Sequence, residues 1–266
     1  MKNKAKSKDL ALLIFLIILL FALNYSFLNS ALQNFLTDYE EALVIRIIDG
    51  DTLEIESGEK VRLLGIDAPE KGERYSPEAG IFLEKMVLNK TVVLEFGSEK
   101  YDRYGRILAY LYVDRKNINI ELVKNGLANV YVLDEKMRES ELRNAWNKCI
   151  ESNKNLCEKS TDVCAKCIEL KKLDYNSQEI IFYNKCEFSC NLNDWEIRDE
   201  GRKNYFFENF WLEAGKEVKI IVQQEKNTED TKTTLYWTGE TYVWTRTGDT
   251  LFLRDEEGGL VLYNNY

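Results

Sequence analysis

The 266-residue chain contains no histidine. That removes the side chain whose ordinary titration lies nearest neutrality, so any general base must be another group. Proline is nearly absent, with only Pro69 and Pro77. A basic excess is lacking too: 36 Lys and Arg face 45 Asp and Glu, for a net charge of −9. This argues against a general polyanion binder, which would carry an overall basic surface. Any phosphate site must therefore be local, built from a few placed arginines. Cysteine is missing from the first 148 residues, and all six lie between Cys149 and Cys190. No short-period repeat is visible. What is present, 45% hydrophobic and 12% aromatic residues, is the composition of a folded protein, long enough for one large or two small domains.

Four lysines, Lys2, Lys4, Lys6 and Lys8, precede fourteen consecutive apolar residues, 10–23. A basic flank before an apolar run reads as a targeting segment. Residues 1–28 are expected to be a signal anchor or a signal peptide, and 29–39 a spacer. From Leu43 the pattern turns strand-like. "ALVIRII" and "DTLEIES" flank the turn dipeptide Asp49-Gly50, and "KVRLLGI" is a third strand. In "YSPEAGIFLEKMVLNK" the spacing of Ala79, Phe82, Leu83, Met86 and Val87 predicts a helix, with Ser76 as N-cap and Pro77 in the first turn. "TVVLEF" and "GRILAYLYV" are two more strands, "INIELVKNGL" a short helix ended by Gly126, and 135–152 a polar helix. Five short strands with an inserted helix suit a small Greek-key barrel of the oligonucleotide-binding type.

Within this region Asp51 begins a strand directly after a turn and Asp67 ends another. Two carboxylates at neighbouring strand ends can share a hard cation, which requires oxygen ligands. Pro69 fixes the backbone between Asp67 and Glu70. Arg62 and Arg106 could each grip two phosphate oxygens in parallel, which lysine cannot do. Taken singly, such residues are turn formers, caps or solvated charges; their combination is what points to chemistry.

The stretches "IDGDTLEI", "VRLLGIDAPE", "SPEAGIFLEKMV", "DRYGRILAYLYVD" and "ELVKNGLANVYV" resemble, in order and spacing, the staphylococcal nuclease (thermonuclease) family. The resemblance places a domain at residues 40–150 and implies a five-stranded barrel with helices. It implies Ca²⁺ held by Asp51, Asp67 and the backbone carbonyl of Ala68. By the same resemblance Glu70 positions or deprotonates the attacking water, Arg62 and Arg106 flank the phosphate, and Tyr104 and Arg103 lie against the bound nucleotide. The implied activity is Ca²⁺-dependent hydrolysis of DNA and RNA outside the cytoplasm, with the 5′-oxygen leaving and 3′-phosphates remaining. The protein would be membrane-anchored through its N-terminal segment, or secreted. The alternatives are a non-catalytic oligonucleotide-binding barrel and a surface interaction protein. The loop from Glu70 to Pro77 is shorter than in the staphylococcal enzyme.

Residues 151–173 read as a cysteine-containing linker. Beyond them the pattern is all-β, and "EIIFYN", "NDWEIRDEG" and "GDTLFLRDEEG" resemble the lamin-tail domain, an immunoglobulin-like sandwich over 174–266. Trp195 and Trp211 are expected in its core. No acid–base cluster stands out there, so a binding or positioning role is expected. The even cysteine count favours disulfides outside the cytoplasm. Cys164-x₂-Cys167 and Cys186-x₃-Cys190 also have a zinc-ribbon spacing. Disulfides, zinc ligation and free thiols all remain open at this point.

Overall fold

The computed structural model describes residues 39–132, 138–225 and 228–266, together with positions 13, 14, 16, 19, 20, 24 and 25. The expected targeting segment and spacer therefore lie largely outside the described residues. Among those described, no helix is long and apolar enough to cross a membrane.

Strand β1 (Tyr39–Ile47) turns at Asp49-Gly50 into β2 (Thr52–Ile55), which pairs antiparallel with β3 (Lys60–Leu63). A register shift between Val44 and Arg46 bends β1. Its first half can then pair with β5 (Thr91–Tyr101) while its second half pairs with β2. β5 pairs with β6 (Ile107–Val113), and β6 runs parallel to β3 through Val61↔Ile107 and Arg62↔Leu108. That last pairing closes the expected five-stranded barrel. Inward-facing Val44, Leu53, Val61, Leu94 and Leu111 are fully buried, as period-2 patterning requires. A two-residue ladder joins β4 (Ile66–Asp67) to β8 (Asn129–Val130), and β7 (Lys116–Asn117) extends the sheet.

Helix α1 (Ser76–Val87) buries Ala79, Leu83 and Val87 on one face. Its start differs from the expected Ser76 cap. Tyr75 occupies the cap position at φ 68°, with no side-chain cap bond. Its hydroxyl instead donates to Glu158, 2.7 Å away, so a long-range contact overrides the local capping preference. Helix α2 (Ile118–Lys124) is capped by Asn117, whose side chain accepts the Ile120 N–H. Helix α3 (Glu139–Ser152) buries Leu142, Ala145, Trp146 and Cys149.

The C-terminal half is a two-sheet sandwich. One sheet orders β9 (Ile168–Asp174), β10 (Glu179–Asn184), β15 (Glu217–Gln223) and β16 (Thr234–Thr238). The other orders β13 (Asn204–Phe206), β12 (Glu196–Arg198), β17 (Thr250–Arg254) and β18 (Leu260–Asn265). A small ladder pairs β11 (Cys190–Asn191) with β14 (Trp211–Leu212). β9 arises mostly within the segment read as a linker. Phe182, Trp195, Phe207, Trp237 and Trp244 fill the core, whereas Trp211, expected inside, is 59% exposed. It sits on the short β11–β14 ladder, where its side chain faces solvent. All six cysteines are paired, as Cys149–Cys157, Cys164–Cys190 and Cys167–Cys186. The zinc-ribbon alternative falls because each half of its spacing is spent on a disulfide to the other half.

The halves share a core. Phe252 and Leu260 of the sandwich are buried within the barrel's apolar cluster. Phe252 meets Trp146 edge-on with centroids 5.5 Å apart. This packing aims the β12–β13 hairpin at the open end of the barrel.

Candidate active site

A cavity of about 700 Å³ opens where β3 and β4 end and β2 and β6 begin. Its walls include Asp51, Arg62, Asp67, Glu70, Arg103, Tyr104, Arg106 and Tyr131, and also Arg202 from the sandwich. Two tight backbone approaches build the acidic wall. A Cβ at Gly50 would lie 2.7 Å from the Cβ atoms of both Ala68 and Ala79. Only glycine lets this turn close against α1 and bring Asp51 beside Ala68. Gly65 holds φ 73°, and a Cβ there would lie 2.5 Å from Leu142 Cδ1. The chain can then reverse from β3 into β4, so that Arg62 and Asp67 face each other.

Arg62 is locked in place. Its Nη1 donates to the carbonyls of Leu63 and Ile66 at 2.7 and 2.9 Å. Its Nη2 lies 3.1 Å from Asp51 Oδ2 and 3.2 Å from Asp67 Oδ1. Both aspartates are buried, so a single guanidinium nitrogen joins two carboxylates that the chain brings together from different strands. Asp51 also accepts the Ala68 N–H at 2.8 Å and the Thr52 hydroxyl at 3.0 Å. Burial pushes the Asp51 carboxyl up to about 6, against the pull of Arg62 and the Ala68 N–H, and the charges of Asp49 and Asp67 add to the rise. Within the barrel the two carboxylates share this one guanidinium.

Glu70 lies in the exposed loop after β4, and its backbone N–H donates to Glu73 at 2.7 Å. Arg106 enters from the start of β6. Its Nε donates to Asp102 at 2.6 Å, and Asp102 also accepts the N–H groups of Arg106 and Tyr104. Burial alone would raise the Asp102 carboxyl, but these bonds outweigh it and hold the group below its usual range. Tyr104 is 68% exposed. The guanidinium of Arg103 stacks over its ring at 4.7 Å, and that of Arg106 lies 5.4 Å from it. Arg103, Tyr104 and Arg106 thus form a cationic-aromatic cluster on the cavity wall. Burial, with the charge of Asp67, raises the Tyr131 hydroxyl.

Three residues at the site, of which Asp102 and Arg202 line the cavity, escape a reading of the sequence by motif. Asp102 could have been found, because it lies four residues before Arg106. Arg198 and Arg202 could not. Arg202 Nε donates to Asp67 Oδ1 at 2.6 Å, its Nη2 pairs with the same oxygen, and its Nη1 pairs with Glu70. Arg198 reaches the other Asp67 oxygen at 3.3 Å. Nothing local in "RDEGRK" announces this, since the partners are more than 130 residues away. Among the described residues no group of three or more His, Cys, Asp or Glu gathers as a metal site. The calcium shell expected from the sequence is smaller than that, with two carboxylates and a carbonyl.

The barrel accords with the family comparisons. The model of the staphylococcal nuclease homologue family matches residues 60–159, and that of the Lamin Tail Domain matches residues 165–266. The chain joins a staphylococcal nuclease homologue domain to a lamin tail domain. The nuclease-homologue domain resembles a thermonuclease of Staphylococcus intermedius, with 41% identity over 98 residues covering 34% of this chain and 58% of the relative. It also resembles an uncharacterized endonuclease of Escherichia coli, 40% identical over 92 residues, 33% of this chain and 59% of the relative. An uncharacterized protein of Methanocaldococcus jannaschii is 35% identical over 127 residues, 36% of this chain and 61% of the relative. The chain thus spans about three fifths of the length of the curated relatives it matches. The lamin tail domain supplies the β12–β13 hairpin that closes on the cavity.

Proposed function

We propose that the chain is a calcium-dependent phosphodiesterase acting on DNA and RNA outside the cytoplasm. It breaks the bond between phosphorus and the 5′-oxygen and leaves 3′-phosphate ends. One observation carries the reading: Arg62 Nη2 lies within 3.2 Å of both Asp51 and Asp67, on the wall of a cavity that Glu70 and Arg106 also line. The donor set fits a hard cation. Asp51 and Asp67 are buried oxygen donors that share a single guanidinium from their own domain, and the Ala68 carbonyl is the third candidate ligand. Calcium bound there would lower the pKa of a nearby water and neutralise phosphate charge.

The chain's own residues do the rest. Glu70 takes the proton of the attacking water; a carboxylate suffices as base when the water is already acidified. Arg62 and Arg106 face the charge that gathers on the equatorial phosphate oxygens and neutralise it best in the transition state. Tyr104 offers an exposed ring for a base to stack on, and Arg103 adds charge in the same cluster. Location outside the cytoplasm is supported by three disulfides. The basic flank and apolar run at the N-terminus support delivery to the membrane, as an anchored or a secreted protein.

The test is hydrolysis of single-stranded DNA and RNA by the full chain, with Ca²⁺ and with a chelator, for wild type, Glu70→Ala and Arg106→Ala. Hydrolysis is expected only for wild type with Ca²⁺. Each substitution should lower the rate by roughly 100-fold or more. Equal rates for wild type and Glu70→Ala would overturn the mechanism.

A further inference from the structure

The lamin tail domain places a cation where the nuclease-homologue domain needs one. The hairpin between β12 and β13 is tied down within its own domain. Asp199 accepts the Lys203 N–H at 2.7 Å, and Asp249 accepts the Glu200 N–H at 3.2 Å. Glu200 Oε2 also accepts the Thr250 hydroxyl of its own domain at 2.7 Å, and its Oε1 ties the hairpin across the domain boundary by accepting the Val132 N–H at 2.6 Å. Arg202 stands at the tip of this braced loop in the left-handed region, φ 75°. From there its guanidinium forks over the acidic wall, with Nε and Nη2 on Asp67 and Nη1 on Glu70. Arg198 covers the second Asp67 oxygen. With Arg62 already on Oδ1, Asp67 meets three arginines, and neither of its oxygens is left open.

We propose that Arg202 is a tethered competitor for the divalent cation, so that the nuclease-homologue domain loads calcium only when the hairpin withdraws. This rests on the calcium-dependent reading of the site. The physical basis is that guanidinium and calcium seek the same carboxylate lone pairs, and an oxygen held by a charge-assisted hydrogen bond is not offered to a metal. A tether sets the guanidinium's effective concentration on the order of millimolar, and the braced loop adds to that advantage. Calcium, or a nucleic-acid phosphate that attracts Arg202 away, must displace it. The lamin tail domain is thereby a positioning element of the nuclease site as well as a neighbour.

The experiment titrates CaCl₂ calorimetrically into the full-length chain in detergent micelles, using wild type, Arg202→Gln and Asp67→Asn, each first shown folded by its thermal melt. Arg202→Gln is expected to bind calcium at least about tenfold more tightly than wild type. Asp67→Asn is expected to lose binding. If Asp67→Asn loses binding but Arg202→Gln matches wild type or binds more weakly, the competition is overturned while the calcium site stands. If calcium binds none of the three, or Asp67→Asn binds like wild type, the calcium site falls and the competition falls with it.

Discussion

A buried carboxylate survives only if something offsets its lost hydration, and this chain offsets its acids in two ways. Asp51 and Asp67 share Arg62, a geometry in which removing one partner leaves uncompensated charge inside the protein. Asp199 has no such arginine. It is 4% exposed, and only the backbone N–H groups of Lys203 and Gly201 and the charge of Lys203 favour its ionised form. Burial first, then the charge of Asp249, pushes its carboxyl up to about 7 from 3.8. A raised carboxyl means that the folded state binds the proton more tightly than the unfolded chain. The ionised form is therefore a burden, absent below pH 3.8, growing as the pH rises, and complete above about 7. Asp199→Asn keeps the oxygen that accepts the Lys203 N–H but cannot ionise. It should match wild type near pH 4 and gain about 4 kcal/mol at pH 8. Urea unfolding at the two pH values checks this, and a gain of equal size at both would show that the charge is not the cause.

At the scale of elements, the three disulfides tie loops of different length. Cys149–Cys157 spans 8 residues at the end of α3, whereas Cys164–Cys190 spans 26 and pins the segment before β9 to β11. If the loss acts mainly on the unfolded chain, replacing the first pair by serines should cost ~2.5 kcal/mol and the second ~3.5 kcal/mol. Chemical denaturation of the two double variants checks the order; a reversal would mean that native packing, not loop closure, sets their value. The same elements mark what a sequence can disclose. Asp51, Arg62, Asp67 and Glu70 lie within twenty positions, on strand ends joined by tight turns, so spacing suggested the paired carboxylates while the family resemblance assigned the set its roles. The barrel was legible for the same reason. The disulfide partners were not, since spacing alone left zinc and several pairings open. The Tyr75 cap was hidden because Glu158 decides it from 83 residues away. Strand β9 was hidden because charged Lys171 and Lys172 blur its alternation, and its partner β10 supplies the order.

On the scale of the whole molecule, the lamin tail domain is built into the nuclease-homologue domain, and this is what makes the Arg202 contact durable. Phe252 is 2% exposed, belongs to the barrel's core, and packs against Trp146 of α3 and Tyr263 of β18. It is paired with Arg198 across β17 and β12, so the ring that fuses the two cores also underlies the strand leading to the hairpin. Fused cores should unfold together. Guanidinium unfolding of wild type with its disulfides intact, followed by tryptophan fluorescence, is expected to give a single transition, because Trp146 reports the barrel and Trp195, Trp237 and Trp244 report the sandwich. Phe252→Ala removes the shared ring, leaves a cavity between the domains and should cost about 3–5 kcal/mol. If the ring is the coupling, the loss does not fall evenly. The variant should resolve into two transitions, one for each core, with the hairpin freed from its bracing in the interval between them. A single transition shifted to lower denaturant would mean that the polar contacts across the boundary, the Arg143–Glu200 ion pair and the hydrogen bonds of Arg74 to the Glu257 carbonyl and of the Val132 N–H to Glu200, hold the domains together without it.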